Sequence, residues 1–294
     1  MPTPLHRLAD SYVPRFVDTF LRSIHGIQRR ATTELITAEL ARGLTEKPRG
    51  LYALLDDLVI AKATAEESTA GVYAELTAEA ANFTYAGAFR VQSPHVQEAA
   101  QRLTSNLVTA VADETKAAIR QVVYESIRDG VPPAAFKNAA GEWQRGSAAI
   151  IRDIVGLTQR DALAVARSAL PASEQAAYAA KLLDRRAMTI ARTETSRAGI
   201  LGRQMAWKEQ AKDGLIDLGR FNQRWKTSPG PRDRLCELCA PMEGVLVPLD
   251  GTFESTERGI LPSERVPYAG ESVEGPPLHP NCLCDLDADY GEED

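Results

Sequence analysis

The chain has 294 residues, of which 44% are hydrophobic and 25% charged, with a formal charge of −6. This is a globular, water-compatible composition with room for one extended or two ordinary domains, and no apolar run approaches the roughly 20 residues that cross a bilayer. A membrane-spanning role is excluded on that ground, and the opening stretch MPTPLHRLADSYVPRF lacks a secretory apolar core, so folding in a reducing cytoplasm is expected. The charge is uneven, because residues 215–294 hold 7 Lys/Arg against 16 Asp/Glu while residues 1–214 hold 27 against 24.

Between Tyr12 and Arg30, Val13, Phe16, Val17, Phe20, Leu21, Ile24 and Ile27 recur at three- and four-residue spacing, one stripe of a helix. Arg15, Arg22, Arg29 and Arg30 lie off it, so the stripe either packs on the protein's own core or meets a partner. A second helix starts where Ser93-Pro94 supplies an N-cap and a first-turn proline, and stops at Gly130 before Pro132-Pro133. At 1.5 Å per residue it runs roughly 50 Å, which implies an elongated bundle. Thr158 and Asp161 open a helix towards Leu170 with a capping-box pattern, and Ser173 to Asp213 reads as one or two alanine-rich helices ending at Gly214.

Beyond Gly214 the pattern changes to short strand-like runs, GRFNQRWKT and GVLVPL, between Pro- and Gly-rich turns, and a long loop from Glu254 to Gly275. The final DLDADYGEED, six of its ten residues acidic, reads as a solvated, disordered tail that repels phosphate backbones. The expected fold class is α+β: an elongated, mainly α-helical N-terminal body followed by a small β-containing, metal-stapled C-terminal module.

The staple is read from the cysteines. All four lie in this module, Cys236 and Cys239 as C-x2-C and Cys282 and Cys284 as C-x-C, with His279 three residues ahead of Cys282. A C-x2-C turn presents two thiolates to one ion, and residues two apart in an extended segment point to the same side. Closing the 42 residues between Cys239 and Cys282 costs about 3 kcal/mol in loop entropy. Structural zinc returns about 10–16 kcal/mol in finger peptides, so metal binding outweighs that closure. Five candidates compete for four positions: either the four cysteines bind, with His279 behind them, or Cys236, Cys239, His279 and Cys282 do. A disulfide framework and independent thiols are the alternatives. Either zinc set fills its shell with protein, which marks a structural site.

Little else suggests catalysis. Arg192-Thr193-Glu194 sits in a helix, where Glu194 reads as an ion-pair partner before it reads as a base. His6, His25 and His95 are isolated, and there is no phosphate-binding glycine loop or nucleophile elbow, so no enzyme is expected. A metal-dependent hydrolase using His279 with Glu194 is the enzymatic alternative. The cluster Arg185, Arg186, Arg192, Arg197 and Arg203 is either a solvated helix face or a contact for DNA, and a zinc-containing nucleic-acid-binding protein is the third class.

Four stretches read in order, GLTQRDALAV (156–165), IARTETSRAG (190–199), CELCAPMEGVLVPL (236–249) and PPLHPNCLC (276–284), resemble the phage Mu F-like minor head proteins, or phage head morphogenesis proteins. Leu283 stands where that family's closing motif has arginine, and Cys239 where many members have histidine, a residue that also binds zinc. The resemblance implies a non-enzymatic minor capsid protein of a tailed bacteriophage that joins the portal protein during capsid assembly, with the major capsid or scaffold protein and packaged DNA as further contacts and no membrane. It would reside in the virion near the portal vertex, after assembly in the host cytoplasm. On this reading residues 1–150 are a helical region with the basic helix as portal-docking part, 151–214 the helical part of the head-morphogenesis domain, 215–284 the zinc-stapled module and 285–294 the acidic tail. The ten residues after Cys284 are too few for the toxin or ADP-ribosyltransferase domain that some members carry.

Overall fold

The computed structural model describes residues 3–45, 62–85, 89–228, 238–254 and 272–291. The helices among them are α1 (Pro4–Arg30), α2 (Thr33–Thr45), α3 (Lys62–Thr84), α4 (Pro94–Arg128), α5 (Ser147–Asp153), α6 (Gln159–Ala166) and α7 (Ala172–Lys212). A two-stranded hairpin of β1 (Phe136–Lys137) and β2 (Trp143–Gln144) lies within the region expected to be mainly helical, after the stop at Gly130. The later strands are β3 (Asn222–Lys226), β4 (Leu246–Pro248), β5 (Phe253–Glu254), β6 (Ser272–Val273) and β7 (Asp285–Asp289), all paired antiparallel. Helices dominate and small sheets follow, which is the α+β class expected from the sequence. The two long helices close as anticipated, on Gly130 and Gly214 at φ 66° and 73°, a conformation that costs glycine little.

The compact units do not follow chain order. One consists of residues 1–16, 70–103 and 188–294, the other of 17–69 and 104–187. In the second unit Phe20, Ile24, Ile36, Ile119, Ile151 and Leu157 are buried. There Thr158 caps α6 by accepting from the Asp161 amide, as its sequence pattern predicts. Arg186, buried, donates to the Gly156 carbonyl and pairs with Glu114, and Arg185 pairs with Asp161 at 3.2 Å. Two residues of the GLTQRDALAV stretch thus serve as acceptors for α7 side chains. Glu125, beneath Arg167, is held down to about 2, chiefly by hydrogen bonds from Arg167 and Gln121.

In the first unit Leu5, Ala9, Val13 and Phe16 of α1 are all buried. The apolar stripe starts earlier than Tyr12; its Val13, Phe16, Phe20 and Ile24 are buried in the protein's own core, while Val17, Leu21 and Ile27 are half-buried. α3 and α7 meet at Gly202, where a β-carbon would press on the Thr77 carbonyl oxygen and the Ala80 methyl. Overpacking costs about 1–3 kcal/mol, against which alanine recovers up to about 1 kcal/mol of helix propensity. Gly202→Ala is therefore expected to lower stability by about 1–2 kcal/mol in denaturant titration, since backbone cannot rotate away as a side chain can.

The main sheet has the order β4-β3-β7, with β3 in the centre. Along β3, Gln223 and Trp225 point inward and are fully buried, while Arg224 and Lys226 point out, the period-2 alternation of a half-buried strand. Trp225 stands opposite Leu286 in the β3–β7 register and meets Phe253 edge-on at 5.1 Å between ring centroids. The expectation of a disordered tail from Asp285 onward is corrected here: Asp285 to Asp289 form β7, so the module continues past Cys284. The acidic residues lie where β3 offers cations, with Lys226 2.8 Å from Asp287 and Arg224 paired to Asp289, while Leu286 fills the core. Most of the long loop expected after Glu254 lies outside the described residues.

Candidate metal centre

Each half of the centre is built by a short turn. His279-Pro280-Asn281-Cys282 closes with the Cys282 amide donating to the His279 carbonyl at 3.1 Å, and Asn281 takes φ 56°. Proline second and a left-handed asparagine third is the residue pattern of a type II turn. It sets His279 and Cys282 at the turn's two ends. Beyond it the chain is extended, so Cys282 and Cys284 are each 2% exposed while Leu283 between them is 41% exposed. Cys239 leads into a 3-10 turn (Ala240–Met242) whose Met242 amide donates to the Cys239 carbonyl. The backbone of Trp225 then fixes that turn to β3, accepting from Gly244 and donating to Val245, each at 2.9 Å.

These turns bring Cys239, His279 and Cys282 together, their ligand atoms all within 4.8 Å of one another. The Cys239 and Cys282 sulfurs are 3.7 Å apart, and Cys284, buried in the same cluster, interacts electrostatically with both. Cys239, Cys282 and Cys284 are free thiols, so no disulfide joins them. Cys236 lies outside the described residues. Among the described residues Cys239, His279 and Cys282, with Cys284 beside them, are donors of the kind that bind a metal ion.

The electrostatics of the cluster suit a cation. Cys282 is pushed well below the ordinary thiol range, because its sulfur accepts from Cys239 and Cys284 and lies beside His279, effects that outweigh its burial. Cys239 is pushed up by hydrogen bonding to Cys282 and Cys284 and by burial. At Cys284 a hydrogen bond from Cys239 favours the thiolate, but the bond to Cys282, burial and the charge of Cys282 win and raise it to about 12. Ionising several sulfurs in one buried place is costly; a divalent ion supplies the charge that lets them ionise together. His279 Nδ1 lies 2.9 Å from the Pro280 carbonyl oxygen, which only accepts. Nδ1 therefore carries the proton, leaving Nε2 as the nitrogen with a lone pair for a metal.

A surrounding layer of side chains fixes the strand that carries the sulfurs. Thr193 accepts from the Asn281 amide at 3.0 Å, and Arg203 bonds Asp285 at 2.7 Å and the Leu286 carbonyl. Gln204 donates to Gln223 Oε1 at 2.8 Å and to the Glu274 carbonyl at 2.7 Å. His6, read from sequence as isolated, is buried with Nε2 3.3 Å from the Cys284 carbonyl oxygen. Nothing in the sequence pairs His6 with a cysteine 278 positions away; only folding makes them neighbours. His25 and His95 are exposed.

The other sequence-derived candidates have structural partners. Glu194 is buried, accepting from the Tyr73 hydroxyl at 2.8 Å and pairing with Arg197 at 2.9 Å, as the ion-pair reading expects. Of the basic cluster, Arg185, Arg186, Arg197 and Arg203 each pair with a carboxylate of this chain, and Arg192 is exposed. Among the described residues no helix is long and apolar enough to cross a membrane. Comparison with protein-family models, characterised proteins and solved structures finds no match for this chain.

Proposed function

We propose that the chain is a structural minor head protein of a tailed bacteriophage, of the head-morphogenesis type, which joins the portal region while the capsid assembles. Its C-terminal module is stapled by one zinc ion on Cys239, His279, Cys282 and Cys284. The observation that carries the reading is the meeting of three stretches of the resemblance at one place. Thr193, from the second stretch, holds the turn of the fourth, whose His279 and Cys282 converge with Cys239 of the third. A motif set held together by contacts among its own residues is what a shared fold requires, whereas chance letter matches have no reason to converge. Zinc suits the donors because thiolate and imidazole are its usual ligands, and a fully protein-filled shell serves architecture rather than catalysis.

The hydrolase alternative is less well supported, since the Glu194 carboxylate it needs is engaged by Tyr73 and Arg197. The nucleic-acid reading loses the basic cluster, whose charges are largely spent internally. Docking to the portal falls to the polar face of α1, where Arg29 and Arg30 are exposed. Tagging the protein in the phage that encodes it and imaging purified procapsids tests the assignment. Label confined to the portal vertex, at low copy number, is expected; particles of normal composition without it refute the head-protein reading.

A further inference from the structure

We propose that the first turns of α1 form a latch whose closure is thermodynamically coupled to metal binding through His6; this rests on the zinc reading above. Three contacts join the two regions. His6 Nε2 donates to the carbonyl of Cys284, a metal-ligand candidate. The Thr3 hydroxyl bridges His6 Nδ1 at 3.0 Å and Asp285 Oδ2 at 2.8 Å. Leu5, 2% exposed, belongs to the same apolar cluster as Cys239, Cys282 and Cys284.

The coupling follows from what a metal does to a backbone. An ion gripping Cys282 and Cys284 fixes both ends of that tripeptide, and with them the direction of the Cys284 carbonyl. Without the ion, the Cys284 carbonyl is oriented only by His6 and by the hydrogen bonds of the adjoining strand, and the two ends of the tripeptide are no longer tied to one point. Hydrogen bonds around metal ligands orient them and tune affinity. Linkage is reciprocal: whatever the ion contributes to docking residues 3–9, their docking returns as metal affinity. His6 is thus a positioning residue for the site, and metal occupancy governs how firmly this segment is held.

The test uses the full chain with and without zinc. Hydrogen–deuterium exchange of the amides from Leu5 to Tyr12 is expected to slow on adding zinc by more than that of Ile200 to Ala206 on α7. Competition with a chromophoric chelator should show His6→Ala binding zinc about fivefold more weakly, the weight of one ordinary hydrogen bond. His6→Gln, which restores a side-chain donor, should recover most of that loss. Should His6→Ala fail to fold, Thr3→Val takes its place with the same expected direction. Tight zinc binding with unchanged exchange at residues 5–12, or with wild-type affinity in the variant, overturns the latch and leaves the zinc site standing. A wild-type chain that takes up no zinc overturns both.

Discussion

On the zinc reading, removing the metal with a chelator is expected to unfold the module around Trp225, with a red shift in tryptophan emission and a drop in melting temperature. Trp225 is fully buried and Trp207 only 4% exposed, both in the cluster that includes the Cys239, Cys282 and Cys284 sulfurs, whereas Trp143 is already 64% exposed. The emission change therefore reports this core. Structural zinc contributes about 10–16 kcal/mol in isolated finger peptides, and even a third of that rivals the usual net stability of a domain, about 5–15 kcal/mol. Single substitutions sort the ligands. Cys239→Ser, Cys282→Ser and Cys284→Ser are each expected to lose the bound equivalent of zinc and the charge-transfer bands of a cobalt-substituted sample, and His279→Ala to weaken both. Cys236→Ser should retain one equivalent. Loss of zinc from Cys236→Ser, with retention in Cys284→Ser, would replace the proposed set by one centred on the C-x2-C pair.

Asp285→Ala is expected to cost about 3–5 kcal/mol, the penalty for leaving one member of a buried ion pair without its partner. Asp285 is 2% exposed and accepts from Arg203 at 2.7 Å, from the Leu286 amide at 2.9 Å and from the Thr3 hydroxyl. Arg203, itself 13% exposed, would be left with the Leu286 carbonyl and an uncompensated charge. Two residues further on, Asp287 is 44% exposed and faces Lys226. Replacing it with alanine should cost under about 1 kcal/mol, as for most exposed pairs. Urea titration of the two variants side by side decides the matter. Equal, small effects would return the acidic segment to the status of a solvated tail; a large difference places Asp285 inside the fold.

That segment also shows where reading the sequence stops. In DLDADYGEED the charge density argues for solvation, and no local rule says that Arg224 and Lys226 wait across a sheet for Asp289 and Asp287. Its alternation, Leu286 between two aspartates, was a strand signal overridden by charge. The amphipathic stripe of α1 is the complementary case. Its periodicity is local, so the helix was legible, but whether the stripe met its own core or a partner depended on residues far along the chain.

The sequence by itself determined α1, α4, α6 and α7, because hydrophobic periodicity, Thr158 and the Gly130 and Gly214 stops act within a few residues; α2, α3 and α5 it left unmarked. It also determined that thiols and an imidazole of metal-binding type gather in the last eighty residues, and that β3 and β4 follow the helices. Tertiary structure alone decided that His279 meets the Cys239 and Cys282 sulfurs, and that His6, Thr193, Arg203 and Asp285 hold the chain that carries them. Those contacts join positions as far apart as Thr3 and Asp285. Their partners are chosen by the burial of a shared core, a sum over the whole chain that no short window contains.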